Sequence, residues 1–175
     1  MPVLHYVRLL SQNQPLPSFG GRDATDCDIV PVEAADRSAV AALAEACRRD
    51  DPLLAGRCAP AGLAAEVTSR DGRVVHAWLA RPRSGGPMPE HAASPLGLVT
   101  LVVVGLGADR RFSIGWLLVH PASRRRGVGR ALIGTALAAA GRQGAASVTV
   151  ETLASWPAAV ACWRAAGFEP VVQGT

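Results

Sequence analysis

Gly115-Trp-Leu-Leu-Val-His-Pro-Ala-Ser-Arg-Arg-Arg-Gly-Val-Gly-Arg130 runs from an apolar strand, through a turn of arginines and glycines, into the first turn of a helix. The N–H groups at a helix start have no intrahelical acceptor and carry the positive end of the macrodipole. Phosphate oxygens therefore fit there when no Cβ blocks their approach. Gly127 and Gly129 supply that clearance. No Gly-Lys-Ser/Thr of a nucleoside-triphosphate loop is present, and Leu132 stands where a dinucleotide fingerprint has its third glycine. What fits is a diphosphate held by backbone amides.

The charge distribution agrees. All 18 basic residues are arginine; seven lie between Arg110 and Val150, a span without a single acid, whereas Met1 to Asp109 holds 10 arginines and 12 acids. One basic block in an otherwise mildly acidic chain marks a localised anion site. A nucleic-acid surface would interleave stacking aromatics with its arginines. Phe, Trp and Tyr make up 5% of this chain and show no such pattern, so nucleic acid is not an expected partner.

Working outward, Leu96–Val104 and Phe112–Val119 are apolar runs that read as an antiparallel pair at the sheet centre, with Arg110 and Arg111 a solvated pair in the turn between them. Beyond the glycines, Ala131, Leu132, Ala136, Leu137 and Ala140 mark one face of a helix ended by Gly141 or Gly144. Ser147–Leu153 is then a strand, a helix opens near Pro157 and stops at Gly167, and Phe168–Val172 is a last short strand. On the N-terminal side the pattern predicts a strand over Val3–Leu10, a connection over Ser11–Asp26 and a strand over Ile29–Val32. A helix through Ala39, Val40, Leu43, Ala44 and Cys47 follows, with Asp36 as its cap. Pro60–Val67 is a short helix, Asp71-Gly72 a turn into strand Val74–Ala80, and Pro82–Pro95 a loop. This order predicts a mixed sheet with helices on its faces.

With 175 residues, 49% of them hydrophobic, the chain suits one core that needs neither disulfides nor metal. Cys27, Cys47, Cys58 and Cys162 form no metal-ligand or C-x-x-C spacing and read as reduced, half-buried thiols, so no metal is expected. The longest apolar run, Leu96–Leu106, is short of the ~20 residues a spanning helix needs, and the N-terminal segment lacks the apolar core of a signal peptide. The expectation is a cytoplasmic protein without a membrane partner.

Arg124-x-x-Gly127-x-Gly129 after a Val-His-Pro strand end resembles the acyl-CoA motif of the GNAT N-acetyltransferase superfamily. Ile29-Val-Pro-Val-Glu-Ala-Ala-Asp36 sits where such domains open, and Ala165-Ala166-Gly167-Phe168 is similar to their closing helix-to-strand signature. The resemblance covers about residues 27 to 172. It implies an α/β (α+β), three-layer fold with a mixed, mostly antiparallel central sheet and helices on both faces. Residues 1–26 would form an N-terminal strand and linker extension to a 27–175 acetyltransferase domain. It further implies acetyl-CoA as cosubstrate. The backbone of Leu117, Leu118 and Val119 would pair with the pantetheine arm, and Arg124, Arg125, Arg126, Gly127, Val128 and Gly129 would wrap the diphosphate, with Arg130 at the same helix start. The Val119 N–H would serve as oxyanion donor, and a primary amine of a small molecule or peptide N-terminus would be the acceptor. The chain stops soon after Val172, where this family usually has a further strand. Val3–Leu10 is therefore expected to supply a neighbouring strand, within the molecule or from a partner in a homodimer.

Glu151 alone among the late carboxylates lies inside an apolar strand, Val148-Thr-Val-Glu-Thr152. It reads either as an outward-facing residue or as a general base, whose partial burial would raise its proton affinity toward neutrality. Glu151-x-x-x-Ser155 ahead of the Gly-Phe helix is similar to ribosomal-protein alanine acetyltransferases, whose base occupies this place. Two departures follow. Trp156 replaces an Asn of that pattern, and Trp163 replaces a Tyr that would protonate the departing thiolate, a task an indole N–H does not perform. The two tryptophans, seven apart, read as one helical face that either packs or lines substrate. An acyl-CoA-binding domain with impaired catalysis is the alternative function. His120 reads as a strand terminus, and Cys162 as a core thiol.

Overall fold

Seven strands, β1 (Val3–Leu9), β2 (Cys27–Pro31), β3 (Val74–Pro82), β4 (Gly97–Val104), β5 (Arg111–Val119), β6 (Ser147–Leu153) and β7 (Glu169–Pro170), form one sheet of order β2-β3-β4-β5-β6-β1-β7 in the computed structural model. The model describes residues 2–10, 27–68, 74–83, 94–105 and 107–171. The predicted connection over 11–26, the turn at Asp71-Gly72, the loop from 84 to 93 and Val172 lie outside the described residues. Every pairing is antiparallel except β5 with β6. Among the described residues five α-helices, α1 (Arg37–Asp50), α2 (Pro52–Ala55), α3 (Pro60–Thr68), α4 (Val128–Arg142) and α5 (Pro157–Ala165), complete the three-layer α/β architecture expected from the sequence.

Each face of the sheet has its own core. Val40, Leu43, Ala44 and Cys47 recur at helical spacing along α1 and pack with Leu54, Leu63 and Val67 against Leu79, Leu98 and Leu118. On the other face, Leu132, Ile133, Ala136, Leu137 and Ala140 of α4 pack with Trp163 of α5 on Val99, Leu101, Phe112, Ile114, Val148 and Val150. Three differences from expectation matter most. Helix α2 was not foreseen; Pro52 occupies its first turn and the Asp51 carboxylate accepts the Leu53 N–H at 2.9 Å. Asp36 precedes α1 without capping it, because its carboxylate accepts the Glu33 N–H at 2.9 Å and an Arg81 N–H instead. The last strand shrinks to Glu169–Pro170, with one further bond from the Val171 N–H to the His5 carbonyl at 2.9 Å.

β1 lies inside the sheet, between β6 and β7 of the same molecule. Its seven residues pair in full with β6, from Val3↔Leu153 to Leu9↔Ser147, while Tyr6 and Val7 face Pro170 and Glu169. Tyr6, 1% exposed, joins the α4–α5 core. Arg8, beside it, donates to the Ala166 carbonyl at the C-terminal end of α5, a cation at the negative end of the helix dipole.

The strand pair at the centre carries a bulge. Val99 faces Leu117 and Leu101 faces Ile114, so Thr100 alone opposes both Gly115 and Trp116. The Thr100 hydroxyl, 1% exposed, accepts the Trp116 N–H at 2.8 Å and satisfies the amide that the ladder leaves out. The extra residue also reverses the alternation. Phe112 and Ile114 point to the α4 face before the bulge; Leu117 and Val119 do so after it, and Trp116 and Leu118 turn to α1.

Candidate active site

The bulge opens the sheet. β5 and β6 run side by side for Phe112↔Val148, Ser113↔Thr149 and Ile114↔Val150, and their pairing ends where Gly115 begins. Between the parted ends lies a cavity of about 1580 Å³, lined by Gly115–Val119, Val150–Leu153, Ser123–Arg130 and the start of α5. Typical small-molecule pockets hold ~300–1,000 Å³. This one has room for two reactants.

The His120 N–H bonds to the Leu96 carbonyl at 2.9 Å, which fixes the ladder phase: Leu118 directs its N–H and C=O at β4, and Leu117 and Val119 direct theirs into the gap. Of the three strand residues expected to meet a pantetheine arm, two therefore offer backbone groups; Leu118 lines the cleft by position, with its own backbone paired. The Val119 carbonyl already accepts from Arg124 Nε at 3.4 Å and Cys47 Sγ at 3.5 Å, so its N–H is the group aimed at an incoming ligand.

The chain then turns through Pro121–Ser123, where His120 Nδ1 accepts the Ala122 N–H at 3.3 Å, a structural role at the strand terminus. Arg125 at φ 61° and Gly127 at φ 83° are both left-handed, and no side chain caps α4. Left-handed residues flanking a turn converge successive N–H groups into an anion-binding concavity, here continuous with a helix N-terminus. A non-glycine residue costs ~1 kcal/mol or more in this conformation, and such cost collects at ligand sites. A Cβ on Gly129 would meet Val119 Cγ2 at an ordinary 3.4 Å, so nothing in the protein itself demands a glycine there. Arg124, Arg125, Arg126, Gly127, Val128, Gly129 and Arg130 all line the cleft. Arg124 is also tied to Asp50 of α1, with Nη1 and Oδ2 2.5 Å apart, and so braces the wall as well as charging it.

Glu151 lines the same cleft from β6. Its side chain is 68% exposed and one oxygen is 3.4 Å from His5 Nδ1, so the burial expected to raise its proton affinity does not occur. The tryptophans do not share a helical face. Trp156 precedes α5 as its N-cap and packs on the α1 side, whereas Trp163 is 4% exposed in the α4–α5 core, edge-on to Phe168 at 5.4 Å. Both border the cleft, and Trp163 is chiefly a packing residue. Cys162 is half-buried beside it, while Cys27, Cys47 and Cys58 are buried outright rather than half-buried. Desolvation raises Cys162 and Cys58 and pushes Cys47 up to about 11.

Sequence reasoning missed Thr100, Gly115, Cys47, Asp50 and His5. A glycine inside an apolar strand is the signal that could have located the bulge. The other four depend on pairings across the fold, which local pattern does not record.

Residues 54–168 match the model of the acetyltransferase (GNAT) family. No curated protein sequence matches. Among solved structures, an integron cassette protein from the V. cholerae mobile metagenome superposes with a TM-score of 0.65 at 14% identity, covering 86% of this chain and 90% of that one. Aminoglycoside N-acetyltransferase AAC(6')-Iy in complex with CoA gives 0.61 at 16% identity, over 85% and 91%. A ribosomal-protein-alanine N-acetyltransferase from Brucella melitensis biovar Abortus 2308 gives 0.59 at 16%, over 79% and 88%. These likenesses establish the fold.

Proposed function

The chain belongs to the GNAT acetyltransferase family, and from that premise we propose that it transfers the acetyl group of acetyl-CoA to a primary amine by direct attack of the nitrogen. The observation that carries this reading is the parting of β5 and β6 at the bulge, directly above an uncapped helix start with two left-handed residues in its turn. That arrangement suits a ligand with a diphosphate at one end and an amide-bearing arm at the other. Arg125, Arg126 and the α4 N-terminus take the diphosphate; Leu117 and Val119 take the arm by strand-like pairing. Acetyl-CoA, when bound, supplies the activated thioester.

The Val119 N–H stabilises negative charge developing on the thioester oxygen. Glu151 accepts a proton from the acceptor ammonium on the open side of the cleft. With Trp163 in the position of the missing Tyr and committed to the core, no side chain there protonates the leaving thiolate. A thiolate of pKa about 8.5 departs unaided near neutral pH. The acceptor is a small-molecule or peptide amine. Among the described residues no helix is long and apolar enough to cross a membrane, and a soluble cosubstrate favours the cytoplasm.

Calorimetric titration of acetyl-CoA, followed by thiol detection of CoA release over a panel of amines and peptide N-termini, tests both halves. Absence of heat and of thermal shift at millimolar acetyl-CoA overturns the site. Binding without CoA release from any amine favours the second reading, an acyl-CoA-binding domain with impaired catalysis, which the buried Trp163 and the exposed Glu151 support.

A further inference from the structure

Among the described residues, α1 packs on β5 and α3 on β3 on the face of the sheet that carries Glu151. Beyond β5, Glu151 stands beside a residue that the N-terminal strand brings in. His5 is its direct cross-strand partner, and directly opposed residues of an antiparallel pair project side by side. Nδ1 of His5 lies 3.4 Å from Glu151 Oε1, with the two side chains 43% and 68% exposed. The charged groups that face the imidazole from its flanking strands are Glu151 on β6 and, opposite Val7 on β7, Glu169.

We propose that His5 is a positioning residue for Glu151, holding one carboxylate oxygen so that the other faces the acceptor amine. This rests on the role given to Glu151 above. An exposed carboxylate gains no proton affinity from burial, so its strength depends on its neighbours. With Nδ1 3.4 Å from Oε1, an imidazole that carries its proton on Nδ1 directs that N–H at the carboxylate and leaves Oε2 for the acceptor. The acceptor's ammonium gives its proton to Glu151, and the carboxyl releases it to solvent on the open face. His5 itself neither gains nor loses a proton in the step.

Two measurements test this on the full chain. Nitrogen-15 NMR of the protein without substrates at pH 8.5 reads the tautomer of His5, expected as Nδ1–H in the wild type and reverting to Nε2–H in Glu151→Ala. With acetyl-CoA and the best amine of the panel, kcat/KM is then followed from pH 5.5 to 8.5. His5→Ala is expected to lose about three- to fivefold, the upper end for an exposed pair. His5→Asn, which keeps a donor in place of Nδ1–H, is expected to recover most of the rate lost in His5→Ala across this range. Glu169→Gln is expected to match wild type. An Nε2–H imidazole in the wild type, or a His5→Asn protein as slow as His5→Ala, overturns the role of His5 and leaves Glu151 standing. Glu151→Gln at full rate overturns both.

Discussion

Thr100→Val removes one oxygen and little volume, and it tests whether the cleft is built by the bulge. The Thr100 hydroxyl is the acceptor for the Trp116 N–H, at 2.8 Å. An amide left without an acceptor in the interior costs ~1–3 kcal/mol. Trp116 is half-buried at the cleft wall, which favours the lower half of that range, and the added methyl returns up to ~0.8 kcal/mol. The net destabilisation is about 1 kcal/mol, a fall in Tm of ~2–4 °C for a domain of this size. The larger effect is on geometry. Without its acceptor the strand gains by restoring regular pairing with β4, which shifts Leu117 and Val119 by one residue and turns their backbone groups away from the gap. Acetyl-CoA affinity, measured by calorimetry, should therefore fall at least tenfold in Thr100→Val and stay within threefold in Thr100→Ser, which keeps the hydroxyl. A Thr100→Val protein that binds acetyl-CoA as the wild type does would refute the reasoning, whatever its Tm.

Four further outcomes follow. Gly127→Ala places a side chain at φ 83°, which should cost ~1–2 kcal/mol and weaken acetyl-CoA binding beyond what the thermal shift accounts for. Gly167→Ala should be worse for the fold, because its Cβ would lie 2.5 Å from Arg8 Nη1 and displace the guanidinium from Ala166; a fall in Tm of roughly 5–15 °C is expected by calorimetric scan. Asp50→Asn removes an anion from the wall and releases Arg124, so calorimetry at low salt should give a two- to fivefold lower Kd for acetyl-CoA, an effect that fades at high salt. Burial raises Cys47 from its ordinary 9.0 to about 11, so the protonated thiol is favoured by the fold. Its stabilising contribution is complete below pH 9 and is lost between pH 9 and 11, and alkylation of the native protein at pH 7.5 should leave Cys47 unmodified until denaturant is added.

What the sequence revealed was local. The helical face of α4 and the limits of β6 are written in the spacing of apolar residues, and the turn from Arg124 to Gly129 announces itself by glycines between charge and helix. Expectations that assumed regular continuation failed. Trp156 and Trp163 share a face only if the helix runs through both, and Pro157 starts it one residue too late. Strand alternation through β5 fails at Gly115 because an extra residue is inserted. The environment of Glu151 was hidden for a different reason: its neighbour across the strand comes from the other end of the chain. No window of sequence contains both.

That long-range pairing bears on how the protein is made. β1 leaves the ribosome before any of its partners exist, and Arg8 and Ala166, which end in contact, are separated by 158 positions. The strand must stay unpaired, with its apolar side chains exposed to solvent, until β6 and β7 have emerged. Pairing of β1 then follows synthesis of β6 and β7, and ribosome-bound chaperones that shield an orphan strand during translation should raise the yield of native protein more than any aid given after release.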